Sequence, residues 1–521
     1  MAATSMKFRL SVRLAAVAGL VSVMLFLVVR NLVPGGEMTV TTDLLVPVPF
    51  VSEPKPGERL EAASGAGSGG GVTMRSGPIY LDLKPPGGFD TVTMVVRYRN
   101  ESGRALELGG MTSASLRQFD VRPAENGLLD GLAWERVSSG NLTLWQREGH
   151  HISLDDFYAN PPERSRLAVL GTTASGIPYR HPGYGPLGGR WEATVSLRGQ
   201  HRLLTYVRGE TLDITFTVQD MNRSSGPDPV AVTVCAEGGS EPLARTVLGD
   251  DGNVGDDQRS SPLRTVSVSA AGLPEGPYVI GFDATDDVFI RHLKSSQGLL
   301  SFAGRVYLGD FIGYSDDVTP VTVWSDGRRF RVETPHDDGR QVLTVDGRQL
   351  DVSEPLVSHA VSVSPSGHIP FPIVSPKRNV IIETDGTISL TAGSWFNPLP
   401  FQVSRSVTES ELDERGIDYV LAGYRTPDSD GGVKVATAEF QADTLDRTPD
   451  GSWRFAVMSQ DLGESDGQIR LDSVSFVLRR TGGIRGLRNG WQALLKGFGE
   501  EEASDPAVSC LQRRNLGEFP E

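Results

Sequence analysis

Cysteine is nearly absent from this chain. It occurs twice, at Cys235 and Cys510, far apart in the sequence. A framework of disulfides is therefore excluded, and stability has to come from packed cores. One long-range bridge and two unpaired thiols are both compatible with the spacing. Basic residues are also in deficit, with 50 Lys and Arg against 65 Asp and Glu and a formal charge of -15. That balance argues against nucleic acid, whose binding needs clustered cations to displace counterions. It equally argues against a body lying flat on anionic lipid. Several catalytic signatures are missing: there is no G-x-x-x-x-G-K-[ST], no H-E-x-x-H and no C-x-x-C.

Long apolar runs are missing too, with one exception. Leu14 to Val29 reads LAAVAGLVSVMLFLVV between Arg13 and Arg30. With the continuation to Val33 and a snorkelling Arg30, it approaches the roughly 20 residues of a membrane span. Lys7, Arg9 and Arg13 precede it, whereas Glu37 and Asp43 follow. This bias predicts a cytoplasmic N-terminus and an extracytoplasmic bulk. A cleaved signal peptide is the competing reading, but the residues after Val29 lack a small-residue cleavage pattern.

What the chain has in abundance is turns, with 60 Gly and 33 Pro. Residues 34–74 carry repeated proline and then SGAGSGGG, which reads as a spacer. Gly65, Gly67 and Gly70 match G-x-G-x-x-G there, but no strand and helix flank them to cradle a phosphate. Beyond residue 75 the grammar is β. Thr211 to Val218 alternates clearly, with Leu212, Ile214, Phe216 and Val218 on one face. Asp326-Gly327, Asp346-Gly347 and Asp385-Gly386 each separate β-rich flanks. Asp-Gly suits type I′ hairpins, which need positive φ at both central positions. Thr408 and Glu411 form a capping box for one short helix. Ile484 to Phe498 has helical spacing of apolar residues, ahead of an acidic tail.

The expected fold is mostly β: tandem antiparallel β-sandwich domains, Ig-like or jelly-roll, behind one N-terminal transmembrane helix. The expected blocks are a basic tag (1–13), the anchor (14–33), the spacer (34–74), β-sandwich domains at 75–237 and 238–318, a hairpin-rich domain at 319–400, a jelly-roll-like domain at 401–481 and an amphipathic helix with its tail at 482–521.

Three constellations bear on function. Gly171 to Trp191 is a long loop holding Tyr179, Arg180, His181, Tyr184 and Trp191. Long ordered loops on rigid sheets often carry binding, and aromatic rings can lie against the apolar face of a sugar. The plain alternative is that the rings plug their own sheet. Second, Asp251, Asn253 and Asp257 alternate with spacers in an acidic loop and could turn oxygens toward Ca²⁺. No bidentate Glu completes an EF-hand pattern, and a solvated acidic loop is the alternative. No other cofactor is suggested. Third, Asp130, Glu135 and Glu148 lie near Trp134 and Trp145 and offer carboxylates for glycoside hydrolysis, although among 65 acidic residues such company is expected by chance. The adjacent His150 and His151 would point to opposite faces of a strand, which spoils joint chelation. Asn100, Asn141 and Asn222 stand in N-x-[ST] patterns.

The expected function is a membrane-anchored, surface-displayed, non-catalytic protein that binds a glycan or a protein partner, or serves in an envelope assembly. An anchored hydrolase acting on envelope polysaccharide and a purely structural spacer are the alternatives.

Overall fold

Alternation along the strands dictates which side chains meet, and the computed structural model follows it closely. Described are residues 36–480, apart from 63–70, 87, 115–116, 175, 240, 258, 312–318, 365–367, 405–406, 428, 460–461 and 463–467. The expected tag and anchor, and the expected amphipathic helix and tail, lie outside the described residues. Among those described, no helix is long and apolar enough to cross a membrane. Strands make up 50% and helices 7%, so the chain is mostly β with several antiparallel sheets.

The spacer expectation needs correction. Gly36–Thr42 pairs antiparallel with Ile469–Arg480, and Val72–Met74 pairs with the same strand. Proline and glycine punctuate this stretch without keeping it extended, because Val40, Val51, Val72 and Met74 each find a core to enter. Thr91–Asn100 lies between Ile469–Arg480 and Val433–Gln441. A second sheet contains Ile79–Leu83, Trp453–Met458, Leu106–Ser113 and Gln118–Glu125 in that order. Met94, Val96 and Phe476 from the first sheet share one core with Leu81, Leu108 and Phe455 from the second. The two ends of the described chain thus fold together, joining residues that the sequence placed in separate blocks.

Between those ends, Leu142–Gln146, Leu167–Leu170 and Tyr419–Ala422 form the centre of a five-stranded sheet. Leu167–Leu170 runs parallel to both Phe401–Gln402 and Tyr419–Ala422. Glu409–Glu414 is the helix that crosses between the latter two, capped by Thr408, whose side chain accepts from Glu411 N at 3.2 Å. Alternate residues of these strands enter two different cores: Trp145, Ala168 and Val420 one, Leu144, Val169 and Leu421 the other. Burial on both faces explains why LAVL and YVLA are apolar throughout.

The remaining strands build a larger core. Arg264–Ala270, Leu212–Asp220, Val288–Ser295 and Trp191–Arg198 are neighbours in that order. So are Pro242–Leu248, Val230–Ala236, Gly276–Asp283, His201–Val207 and Leu300–Leu308. Side chains of both sets meet in one cluster, with the Phe216 and Phe282 rings 4.9 Å apart. Leu300–Leu308 continues into Val380–Ser389, which leads to the strands of residues 321–375. Cys235 is buried on Val230–Ala236 and belongs to a disulfide whose other half lies outside the described residues.

The three Asp-Gly dipeptides behave differently. Asp346 and Gly347 adopt φ of 45° and 79° and close the hairpin between Gln341–Val345 and Arg348–Val352, as expected. Asp326-Gly327 makes no hairpin, since Val321–Ser325 and Arg329–Glu333 pair with other strands. Asp385-Gly386 sits inside the continuous strand Val380–Ser389. Here the two dipeptides clasp each other. Asp326 Oδ1 accepts from Thr387 N at 2.7 Å, while Asp385 Oδ1 accepts from Arg328 N at 2.7 Å and Arg329 N at 3.0 Å. A Cβ on Gly386 would stand 2.6 Å from both Gly327 N and Asp326 Oδ1, so glycine serves close approach rather than a turn.

Candidate functional site

The aromatic loop is built on the outer face of His201–Val207. Leu203 and Val207 enter the large core, while Leu204 and Tyr206 point the other way. There they meet Tyr184, Val279 and Phe396. The Tyr184 and Tyr206 rings sit edge to face at 4.9 Å, an arrangement that adds attraction to burial. Tyr179 packs on Tyr206 and Phe396 with centroids 6.0 and 6.1 Å away. Burial pushes the Tyr179 hydroxyl up to about 12, and burial first, then the hydrogen bond to Glu210, pushes Tyr184 up as well.

Polar contacts fasten the loop backbone. Arg208 donates to the carbonyl of His181 at 2.8 Å and to that of Tyr184. Its Nε meets Glu275 Oε1 at 2.7 Å, and the same carboxylate oxygen accepts from the Tyr206 hydroxyl at 2.8 Å. Tyr206 in turn accepts from His181 N at 3.2 Å, and Tyr184 donates to Glu210 Oε1 at 2.5 Å. Arg164 donates to the carbonyl of Ile177 at 2.8 Å. The loop is thereby held as a rigid rim rather than as a free segment.

A cleft of about 440 Å³ opens beside it. His181, Tyr184, Leu187, Trp191 and Leu299 supply its apolar and aromatic walls, the exposed Thr391 supplies polar character, and Ser394 lies buried behind it with its hydroxyl on Thr391. Gly183, Gly185, Gly298 and Gly393 leave backbone bare along the lining. Ser394 N is held by Thr391 Oγ1 at 3.2 Å, which caps a short 3₁₀ turn and fixes both hydroxyls. Of the five residues expected from the loop, three line the cleft: His181, Tyr184 and Trp191. Tyr179 lies among the rings beneath it. Arg180 is exposed, and it acts on the Glu275 carboxylate through its charge. Sequence reasoning missed Tyr206, Arg208, Glu275, Thr391, Ser394 and Phe396. They come from three separate stretches, and no local spacing connects them.

The acidic loop is arranged differently from its expected pattern. Asn253 Nδ2 donates to Asp257 Oδ1 at 2.9 Å, and Asp257 also pairs with Arg259 at 3.6 Å. Asp257 is thus tied to its own exposed loop. Asp251 instead stands with Asp220 and Asp250, one carboxylate oxygen of each lying within 4.8 Å of the others. Asn222 Nδ2 donates to Asp251 Oδ2 at 3.1 Å and to Arg259 O at 2.8 Å. Asn222 is buried, so its side chain is not presented for glycosylation; Asn141 is exposed.

The carboxylates suggested for hydrolysis stay apart from the cleft. Asp130 accepts from Tyr424 at 3.2 Å, Thr426 at 2.9 Å and Asn126 N at 3.2 Å, beside the five-stranded sheet. Glu148 pairs with His150 at 3.1 Å, and Glu135 is exposed. His151 turns inward from His150 and packs on Phe157 and Tyr419.

No family model and no curated protein matches the chain. Among solved structures, dimeric latent PorU from Porphyromonas gingivalis is similar at 11% identity and a TM-score of 0.16 over 60% of this chain. This chain spans 33% of that one. The infectious bursal disease virus Gx strain structure is similar at 7% identity and a TM-score of 0.16 over 90% of each chain. Likeness at this level carries no argument about fold or function.

Proposed function

We propose that this chain is a non-catalytic binding protein that takes a glycan in the cleft beside the aromatic loop. One observation carries the reading: His181, Tyr184 and Trp191, from one loop, share a cleft with the exposed Thr391 from another segment. Rings offer a face to the C–H side of a sugar, and a fixed hydroxyl can meet its polar edge. The buried ring of Tyr206 and the hydrogen bonds of Arg208 to the loop carbonyls favour a preformed site, which limits the ordering cost of binding. The carboxylates Asp130, Glu135 and Glu148 lie outside this cleft, which favours binding over hydrolysis there.

The sheets that share cores are read as sandwiches of Ig-like or jelly-roll type, with the loop seated on the back of one. The apolar run Leu14–Val33 is proposed as the single anchor, with the bulk outside the cytoplasm. The disulfide at Cys235 supports an oxidising compartment.

The test is glycan-array binding by the full chain, followed by titration of each hit. Trp191→Ala should weaken binding about two- to tenfold, since one ring stack contributes about 0.5–1.5 kcal/mol beyond its burial. Binding that survives Trp191→Ala and Thr391→Ala unchanged sinks the cleft assignment. An array without hits would favour a protein partner or a spacer role.

A further inference from the structure

We propose that Asp220, Asn222, Asp250 and Asp251 form a calcium site at one end of the two facing sheets. Asp220 closes the strand Leu212–Asp220, and Asp250 and Asp251 follow Pro242–Leu248. Asp228 lies just before Val230–Ala236 and Asp287 immediately precedes Val288–Ser295, so three connections deliver acids to one place. Most of these acids are not on a solvated face: Asp220 is 3% exposed, Asp228 6% and Asp287 1%.

The clustering alone would be weak, since acidic loops usually face water. Two unpartnered oxygens make the difference. Asp220 Oδ2 is buried with no hydrogen-bond partner among the described residues. So is Asn222 Oδ1, on a side chain that is 1% exposed and whose amide nitrogen already grips Asp251. A buried carboxylate oxygen and a buried amide oxygen without donors are costly, unless a cation takes their lone pairs. The oxygens of Asp220, Asp250 and Asp251 lie within 4.8 Å of one another, which suits a central ion at about 2.3–2.6 Å from each.

The other hydrogen bonds of the site position these ligands without using them up. Asp250 accepts from Asp228 N and Gly252 N, both at 2.8 Å, and Asp251 Oδ1 accepts from Asn253 N at 2.8 Å. Each carboxylate oxygen keeps a second lone pair. Asp287 ties down the neighbouring turn through Arg223 N at 2.9 Å and Ser224 N at 2.5 Å. Burial, and after it the charges of Asp228, Asp251 and Asp287, push the Asp220 carboxyl up to about 6, against the pull of its bond from Asn222 N. The fold therefore holds negative charge where a divalent ion would relieve it. An all-oxygen ligand set of carboxylates and an amide suits calcium better than magnesium, which demands near-ideal octahedral geometry. This site stands whatever the cleft binds.

Titration calorimetry of the chelator-treated full chain with CaCl₂ tests it, with MgCl₂ as the comparison and thermal melting as the second readout. The expected result is one saturable calcium site, weaker heat with magnesium and a rise in Tm on adding calcium. Asp220→Asn and Asp251→Asn should each weaken calcium binding at least tenfold, while Asp257→Asn binds as the parent does. Asp220→Asn should melt no lower than the parent in chelator, which separates lost binding from lost folding. Absence of saturable binding at millimolar calcium would overturn the proposal. Parent-like calcium affinity in both Asp220→Asn and Asp251→Asn would do the same.

Discussion

The aromatic loop and the acidic loop are both irregular chain laid against sheets, yet they differ in which polar atoms folding leaves unpaired: a ring nitrogen in one, carboxylate and amide oxygens in the other. Around the cleft, Arg208 and Glu275 satisfy two loop carbonyls and a tyrosine hydroxyl at once. At the acidic end, Asp220 and Asn222 keep buried oxygens without donors. At the aromatic loop the paired groups are backbone carbonyls and tyrosine hydroxyls, while the His181 Nδ1 stays without a partner beside the opening. A loop with buried lone pairs to spare is incomplete by itself. The comparison shows that composition is a poor guide to a site: what matters is which atoms remain unsatisfied after folding.

The largest expected effect bears on the scaffold side of this comparison. Tyr206→Ala removes a fully buried ring that Tyr179, Tyr184, His181 and Phe396 all touch. It should cost about 3–5 kcal/mol, as large buried aromatics do, read by denaturant unfolding. A loss under about 1 kcal/mol would mean that the loop packs on the sheet only loosely.

A smaller effect should distinguish the acidic end by its pH dependence. Asp220 holds its proton up to about pH 6 in the folded chain, against an ordinary value of 3.8. Between these values the folded state binds more protons than the unfolded one, so stability falls as pH rises and levels off above about 6. In chelator, Tm should drop across that interval, and Asp220→Asn should flatten the slope. A parent and variant with identical profiles would remove the repulsion from the account.

The smallest effect on stability is expected at Arg208, which lies at the surface. Arg208→Met should leave Tm nearly unchanged and yet raise hydrogen exchange in residues 181–185, because two carbonyls lose their donor. Unchanged exchange would show that ring packing alone holds the loop, and would narrow the contrast between the two regions.

Much of the fold was legible. Alternation at Leu212, Ile214, Phe216 and Val218 gave the inward face of its strand, and all four are buried. Thr408 and Glu411 marked their helix because a cap is a local bond between residues three apart. Asp346-Gly347 marked a hairpin because its φ values are a local matter. Asp326-Gly327 and Asp385-Gly386 misled for the complementary reason: each aspartate serves the backbone of a distant segment. The spacer reading failed likewise, since proline and glycine content does not reveal that Ile469–Arg480 offers an edge to Gly36–Thr42.

By itself the sequence determined a share of the strands, the inward face of Leu212–Asp220, one capped helix, one true hairpin and the loop that carries His181, Tyr184 and Trp191. Those features follow from steric and capping rules acting within a few residues. Tertiary structure alone decided that the chain's described ends share a core, that Thr391 faces the aromatic loop, and that Asp220 rather than Asp257 joins Asp251. Such pairings depend on which distant surfaces bury each other, and no spacing along the chain encodes that.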